Sequence, residues 1–386
     1  MEEKLKSLHS IFSGIPGKIR NVSDKTDLER LINELDIEHL DREFIIGGDT
    51  YPSVLWYCCY KGYKDLVSIL LGKGCNTGIV NISGETILLT SIKWERTEVI
   101  RMIVTQFPEM ILIPDKEGNT SLMFAVEKKN TEILNKLIEK IPEEKRFDFF
   151  SAINNLKKNV LMITVEKANR KILQIILDNI PSETQTFFLN IQDEERNTAL
   201  MLAIKNNKIK NVEYLLSIEG VEHELDIINT DKKSILMLIS SSRIDNIDIL
   251  LLFPNPTEDY LNLQDKEGNT ALMLAIKNVN LKVVDFLLDK KNDFTLLNKK
   301  NENVAFLLAK HIDKPNLIIK LYKGSIQRET TANEFEFKIN GENENIMYYL
   351  KIRKRDSPIP KNFRILYKIL FFLYLDNGVY REFLDP

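Results

Sequence analysis

A unit of 33–39 residues recurs eight times along most of this 386-residue chain, and the recurrence constrains the fold more than any single motif. The clearest copies begin with the segments 115–125, 193–203 and 265–275, and each is followed by a second apolar run that ends in Leu-Leu or Leu-Ile. A period of this length is typical of stacked supersecondary units, in which each repeat buries its apolar face against its neighbours. The function of such a chain is expected on its outer surface rather than in a catalytic pocket.

We choose one origin residue in each unit and count positions from it. A column is the set of residues at the same position in every unit, and the columns that matter for packing stay apolar through the repeats. The origins are Ser53, Thr86, Thr120, Asn159, Thr198, Ser234, Thr270 and Val304. The second residue after the origin is Leu in seven units and Phe306 in the last. Apolar residues spaced at helical intervals follow each origin, and a turn motif with Asp and Gly precedes the clearest ones. Each unit is therefore predicted to fold as a turn, a helix, a second turn and a second helix, with a Thr or Ser cap on the first helix.

This pattern resembles the ankyrin-repeat family. Residues 53–71 fit closely, and Gly74-Cys75-Asn76 follows where the family has Gly-Ala-Asp. The resemblance covers about residues 49–322. It implies an all-α solenoid of about eight helix-turn-helix repeats that binds other proteins on its concave face and turn tips and is not an enzyme. The family His is Met in five units, which we interpret as core packing, with a Met-rich ligand surface as the alternative. These residues are Met123, Met162, Met201, Met237 and Met273.

The two ends differ from the repeats. Residues 1–48 contain an amphipathic helix around Asp27–Leu35 and are expected to form an N-terminal helical cap, followed by the solenoid over 49–322. Residues 323–386 are expected to form an α or α+β capping segment or an effector segment, with a hairpin at Phe335–Ile339 and Asn340-Gly341. An apolar helix is predicted over Phe363–Leu375. As an alternative, the stretch from Ile359-Pro360 resembles the F-box-like segment with which some viral ankyrin proteins recruit a ubiquitin ligase.

Two connections are longer than the others, around residues 142–150 and 181–188. Both carry paired phenylalanines. Insertions in a solenoid often fall at its functional edge. The alternative is that the phenylalanines pack against the neighbouring repeat.

Lysines occur near the end of the predicted first helix in seven of the eight units. Stacking of the repeats would place them in a row that meets an acidic partner, with Trp94 as an anchor in the same exposed region. The alternative is that these cations only complement the helix dipole and keep the surface hydrated. The candidate partner-binding residues are Lys61, Lys93, Trp94, Lys128, Lys167, Lys205, Lys277 and Lys310.

Composition narrows the classes of partner. The net charge of −3 argues against bulk nucleic-acid binding, and no run is long enough to span a bilayer. We find no secretory signal, and the three cysteines occupy small apolar columns, so we expect a reducing intracellular location, cytoplasmic for the chain itself. Richness in Lys, Asn and Ile is typical of AT-rich genomes of intracellular bacteria and large DNA viruses. A viral protein or effector would then act in the host cytoplasm or nucleus.

No catalytic or metal-binding constellation is visible. The four histidines are scattered, and the one Gly-Lys pair near the N-terminus lacks the spacing of a phosphate loop. The sequence therefore predicts a non-enzymatic protein without cofactor or metal that sequesters or redirects a host or defence protein. An enzyme with its site in the C-terminal segment is the least favoured alternative. The oligomeric state is left open.

Overall fold

The computed structural model describes residues 22–46, 48–218, 227–242, 248–251 and 256–312, together with Ser7, Leu317 and the strands 336–339 and 342–345. The chain divides into two compact units, residues 1–194 and 195–386. Each unit is built from pairs of short helices. The predicted helix at Phe363–Leu375 and the F-box-like stretch at Ile359-Pro360 lie outside the described residues.

The first unit begins with two helices and a hairpin and continues with four helix pairs. Its elements are α1 (Val22–Glu34), α2 (Ile37–Leu40), β1 (Phe44–Ile46), β2 (Asp49–Tyr51), α3 (Val54–Lys61), α4 (Lys64–Gly72), α5 (Ile87–Lys93), α6 (Thr97–Gln106), a 3-10 helix (Pro108–Leu112), α7 (Ser121–Glu127), α8 (Thr131–Lys140), α9 (Glu143–Ser151), α10 (Val160–Lys167), α11 (Arg170–Asp178) and α12 (Ser182–Asn190). The helices α3, α5, α7 and α10 are the first helices of their repeats.

The second unit repeats the same plan. Its described elements are α13 (Ala199–Lys205), α14 (Ile209–Leu216), α15 (Ile235–Ser241), α16 (Asp248–Leu251), α17 (Glu258–Leu261), α18 (Ala271–Lys277), α19 (Leu281–Leu288), α20 (Val304–His311), β3 (Glu336–Ile339) and β4 (Glu342–Asn345). The first helices are α13, α15, α18 and α20.

Seven of the eight predicted origins are N-caps of the first helices. In each, the side-chain oxygen accepts a hydrogen bond from the backbone N–H three residues on, which satisfies one free donor of the helix start. The prediction is wrong by one residue in the last unit, where Asn303 and not Val304 is the N-cap and its Oδ1 accepts from Phe306 N at 2.9 Å. The N-caps are Ser53, Thr86, Thr120, Asn159, Thr198, Ser234, Thr270 and Asn303.

A tight turn precedes most first helices, and we call it the finger. In the finger before α10, Asn154 Oδ1 accepts from the N–H groups of Leu156 and Lys158, each at 3.0 Å. The fourth finger residue has a positive φ, as at Gly118 (φ 79°) and Lys157 (φ 56°). An Asp or Asn side chain fixes the turn in this way at Asn81, Asp115, Asn154, Asn229, Asp265 and Asn298.

Successive fingers within a unit are joined by backbone hydrogen bonds. Lys116 N donates to Ser83 O at 2.9 Å and Asn155 N to Glu117 O at 2.7 Å in the first unit. In the second unit, Lys266 N donates to Asp231 O at 2.9 Å. Buried amides reinforce these links, since Asn154 Nδ2 donates to Asn119 Oδ1 at 2.9 Å. Here asparagines and Asx turns stabilise the fingers in a chain that lacks the family His.

The core lies between the helices. All five methionines of the former His column are buried, so the interpretation as core packing agrees with the structure. The three cysteines are free thiols inside the first unit. Burial raises the pKa of each, that of Cys75 to about 11, so these groups stay protonated at neutral pH. They act as small apolar side chains.

The segment before the first repeat is docked on it. Leu28, Ile32 and Leu35 of α1 and the following turn are buried, and α1 packs against α4. Lys73 Nζ donates to the carbonyl oxygens of Ile32, Asn33 and Leu35 at 2.8–2.9 Å, which satisfies the end of α1. The segment expected as an N-terminal helical cap contains α1 and α2, and strand β1 follows them and pairs with β2. The two-residue pair Gly47-Gly48 between Ile46 and Asp49 is the sequence signal for this hairpin.

The two long connections each form a third helix, α9 and α12. Phe150 and Phe188 are fully buried, whereas Phe147 and Phe187 are 42% and 53% exposed and touch each other with ring centroids 5.4 Å apart. Three of the five phenylalanines, Phe149 among them, are therefore buried, and the other two form a surface pair. In the C-terminal segment, β3 and β4 pair antiparallel with Ile339 opposite Glu342, which confirms the strand pairing of the predicted hairpin, while Phe335 and Asn340-Gly341 lie outside the described residues.

Candidate interaction surface

The predicted lysine row divides into two columns on the first helices. We call them column 7 and column 8, counted in residues after the N-cap. Column 7 holds Lys93, Lys205, Lys277 and Lys310, and column 8 holds Lys61, Trp94, Lys128 and Lys167. Adjacent positions on a helix point about 100° apart, so the two columns face different neighbours.

Column 7 lysines bind back to the residue before their own N-cap or to the finger. Lys93 pairs with Glu85, and Lys310 Nζ lies 2.7 Å from Glu302 Oε1. Lys277 Nζ donates to Asn269 Oδ1 at 3.3 Å. Lys205 Nζ reaches Glu195 Oε2 at 2.7 Å. These contacts tie the first helix to the finger of the same repeat, and we call them the clasp.

One clasp has its charges exchanged. Lys158 precedes the N-cap Asn159 and its Nζ lies 2.7 Å from Oε1 of Glu166, which occupies column 7. Both side chains are largely buried, at 18% and 14% exposure, so the pair is more than a solvated surface contact. The clasp forms with either orientation of charge, so the charged residues of column 7 stabilise the contact between the first helix and its finger. This leaves the clasped lysines with little charge to offer a partner.

The last clasp also shifts protonation. Burial alone would raise the pKa of Glu302, but hydrogen bonds from Lys310 and Asn298 outweigh it and hold that pKa below its usual range. Beside it in column 8, burial and the charge of Lys310 lower the pKa of His311 below its usual value of about 6.5. His311 is therefore mainly neutral at neutral pH.

In column 8 of the first unit, Trp94, Lys128 and Lys167 are exposed and Lys61 is half-buried. Among the described residues, no carboxylate lies within ion-pair distance of Lys61, Lys128 or Lys167. Lys61 Nζ lies over the ring of Tyr60 at 4.6 Å from its centroid, a cation–π contact, and the charge of Asp49 also acts on it. Burial and the nearby Arg96 lower the pKa of Lys61. This column carries the free positive charge of the first helices.

Trp94 projects from column 8 on an aromatic base. Its side chain is 45% exposed and meets Tyr60 edge to face, with centroids 5.0 Å apart. Tyr60 in turn stacks on Trp56 at 6.0 Å, and Trp56 Nε1 donates to Glu85 O at 3.2 Å. Arg96 Nε donates to Tyr60 O at 2.9 Å. Trp94 is thus exposed and held in place, as an interface anchor requires.

Column 8 of the second unit is used differently. Asn206 Nδ2 donates to Leu202 O and Asn278 Nδ2 to Leu274 O, each at 2.8 Å. Ser242 Oγ donates to Ile239 O at 2.9 Å. These side chains turn back to satisfy carbonyl groups at the end of their own helices. With the neutral His311, the column presents no cation comparable to those of the first unit.

The clasp and the aromatic base under Trp94 were not predicted from the sequence. The clasp has a sequence signal, because Glu85, Lys158 and Glu302 stand directly before their N-caps and carry the charge opposite to their column 7 partners. The aromatic base has a weaker signal, since Trp56 and Tyr60 read as core residues of one repeat and the contact to Trp94 crosses to the next.

The described residues contain no group of three or more His, Cys, Asp or Glu side chains placed to hold a metal ion. Within that same part of the chain, no helix has the length and apolar character of a membrane span.

Comparison with known proteins identifies the family. No curated protein matches the chain significantly. A family model described as "Ankyrin repeats (3 copies)" matches residues 55–148, 145–227 and 218–298, which together cover more than half of the chain. These matches coincide with the capped helix pairs and fingers described above, and the chain belongs to the ankyrin-repeat family.

Proposed function

We propose that this protein is a non-catalytic interaction module that binds a macromolecular protein partner through its fingers and first helices. Ankyrin repeats generally mediate protein–protein interaction. The observation that supports the proposal is Trp94, a fixed and half-exposed aromatic side chain with unpaired lysines in the same column. Exposed, immobilised tryptophans are over-represented among the residues that dominate binding energy.

The partner is proposed to be acidic on the surface that meets this column. Complementary charge speeds association and excludes partners of the same sign. The candidate lysines contribute unequally to this proposal. Lys61, Lys128 and Lys167 are available for a partner, whereas Lys93, Lys205, Lys277 and Lys310 already bind within their own repeats. A standard interface buries roughly 800 Å² on each protein, which several repeats can supply.

The cellular role that we propose is to sequester or redirect a host or defence protein. The richness in Lys, Asn and Ile supports an intracellular bacterial or viral source. Affinity capture with the full chain from native or host cells tests the proposal. A specific partner that survives moderate salt and is lost when the Trp94 surface is altered is the expected result. A chain that captures no repeat-dependent partner would contradict the proposal.

A further inference from the structure

We infer that column 8 of the first unit binds an extended acidic segment of the partner, with one aromatic or aliphatic side chain of that segment resting on Trp94. This inference rests on the proposed function and narrows it from a whole surface to one column and one kind of ligand. The column consists of Lys61, Trp94, Lys128 and Lys167, one residue from each successive repeat of the first unit.

The geometry of the first helices sets the spacing of the ligand. The helices α3, α5, α7 and α10 pack against one another in chain order. Packed helices lie about 8–10 Å apart, and a segment in the polyproline II conformation advances about 3.1 Å per residue with three residues per turn. Every third side chain of such a segment faces the same side, so a segment bound along the column presents one side chain to each repeat about every three residues. The matching ligand has an acidic residue opposite Lys61, an apolar residue about three positions on, and acidic residues about six and nine positions on.

The charge pattern favours a peptide over a nucleic acid. Among the described residues, no carboxylate lies within ion-pair distance of the column 8 lysines, although the charge of Asp49 acts on Lys61, so an acidic ligand does not have to break an existing ion pair. Yet Glu95 and Glu127 stand beside Trp94 and Lys128 on the chain and are exposed. A continuous phosphate backbone would meet these carboxylates, whereas a peptide can place apolar or neutral residues there.

Trp94 gives the column its register. Lysine contacts alone would allow a flexible acidic segment to slide, since long cationic side chains adapt to many positions. The Tyr60 contact holds the Trp94 ring at one place, between the cations of the first and third repeats. One apolar side chain on that ring therefore fixes which acidic residue faces which lysine.

The test measures binding to the full chain of a synthetic peptide of about ten residues, with Glu at positions 1, 7 and 10 and Leu at position 4. One variant combines Lys61→Asn, Lys128→Asn and Lys167→Asn, and the other is Trp94→Ser. Both introduce the residue types that the second unit carries in column 8. A matched control combines Lys145→Asn, Lys171→Asn and Lys210→Asn, which removes the same charge from exposed positions on other helices.

The expected result is binding that weakens as salt increases and falls at least about tenfold in both column 8 variants but less than about twofold in the control. Moving the Leu to position 2 should weaken binding to a similar extent as Trp94→Ser. Circular dichroism and thermal melts of every variant establish that the fold is retained.

Three outcomes would overturn the inference. The peptide binds the column 8 variants as well as it binds the parent chain, a single-stranded oligonucleotide displaces it at lower concentration, or no peptide binding is found although a repeat-dependent partner is captured from cells. The third outcome leaves the proposed function intact and rejects only the column. Failure of cellular capture together with failure of peptide binding rejects both.

Discussion

The two units of this protein share one folding frame and differ in what they place on it. Asn154 in the first unit and Asn229 in the second make equivalent hydrogen bonds to their fingers and to the preceding finger. Column 8, in contrast, is cationic and aromatic in the first unit and caps its own helices in the second. Because the frame is satisfied in both units, the cations and Trp94 in column 8 of the first unit lie outside it and are available to a partner.

Exposed apolar side chains follow the same division. Ten of the eleven large hydrophobic residues that are exposed among the described residues belong to the first unit, and only Val279 belongs to the second. Several stand on or beside fingers, and Ile82 is 89% exposed. Single exposed apolar residues are ordinary, whereas contiguous ones are typical of interaction sites, and Phe147 and Phe187 touch each other. The first unit is therefore the better candidate for contact with a partner. Its exposed members are Ile37, Ile45, Val80, Ile82, Trp94, Ile113, Phe147, Ile153, Leu156 and Phe187.

The largest effect is expected from breaking the common frame. Asn154→Ala and Asn229→Ala each remove the acceptor of two partly buried backbone N–H groups and the amide donor to the preceding finger. We expect each to lower the free energy of unfolding by about 3 kcal/mol, measured by urea denaturation with hydrogen exchange to locate the loss. Equal cost in both units supports a shared frame, and a large cost in only one would show that the units are stabilised differently.

A matched control separates the two contributions of the finger amide. Asn154→Asp retains an oxygen that accepts from Leu156 N and Lys158 N, as Asp115 does in its own finger, but removes the donor to Asn119 Oδ1. This variant should lose roughly 1 kcal/mol. A loss as large as that of Asn154→Ala would mean that the link between fingers, and not the turn, is the main contribution.

The next largest effect is expected at the reversed clasp. Lys158→Glu and Glu166→Lys should each cost about 2 kcal/mol, because a largely buried charge loses its partner and meets one of the same sign. The double variant recreates the orientation of Glu302–Lys310 and should recover to within about 0.5 kcal/mol of the parent chain. A double variant as unstable as the sum of the singles would show that the orientation is fixed by other contacts.

The pH dependence gives a second measure of the clasp, in the second unit. The pKa of Glu302 is depressed in the folded state, so its contribution is complete above the unfolded value of about 4.3 and is lost as pH falls through the folded pKa. Glu302→Gln should remove this part of the acid sensitivity. Urea denaturation at pH 7 and pH 3 should therefore show a smaller difference for Glu302→Gln than for the parent chain. An unchanged difference would exclude the clasp as a source of acid sensitivity.

A gain in stability is expected where a residue with a side chain occupies a left-handed conformation. Lys157 in the first unit and Val279 in the second have φ values of 56° and 55°. Gly at either site should raise the free energy of unfolding by roughly 1 kcal/mol, with the larger gain for the β-branched Val279. Thermal melts measure the gain. The reverse change Gly118→Ala should destabilise, since a Cβ there would lie 2.9 Å from Asn154 Cα.

Much of the frame could be predicted from the sequence, for a physical reason. Helix caps, turn residues and buried columns use few residue types, so their spacing identifies them in one copy after another. The incorrect assignment of Val304 also follows from this use of spacing. Asn303 is the N-cap, but the second residue after it is Ala305, where the other units have Leu, and shifting by one residue places Phe306 in that column.

The contacts of the candidate surface residues were less predictable. Lys93 and Lys128 look equivalent in the sequence, yet one occupies column 7 and pairs with Glu85, and the other occupies column 8 and faces solvent. Their roles depend on a contact with a residue eight positions earlier and on which side of a helix they lie. The base under Trp94 depends on a contact between repeats, which no column within one repeat can show.

The smallest effect is expected from exchanging column 8 between the units. Lys128→Asn in the first unit places an amide where Asn278 in the second satisfies a helix carbonyl, and Asn278→Lys replaces that hydrogen bond with a cation at the helix C-terminus. Both side chains suit a helix end, so each change should alter the free energy of unfolding by less than about 0.5 kcal/mol. Urea denaturation of the two single variants and the double variant measures this. A loss above 1 kcal/mol at Lys128 would show that the first unit needs its cation for folding, and column 8 would then be explained by stability instead of recognition.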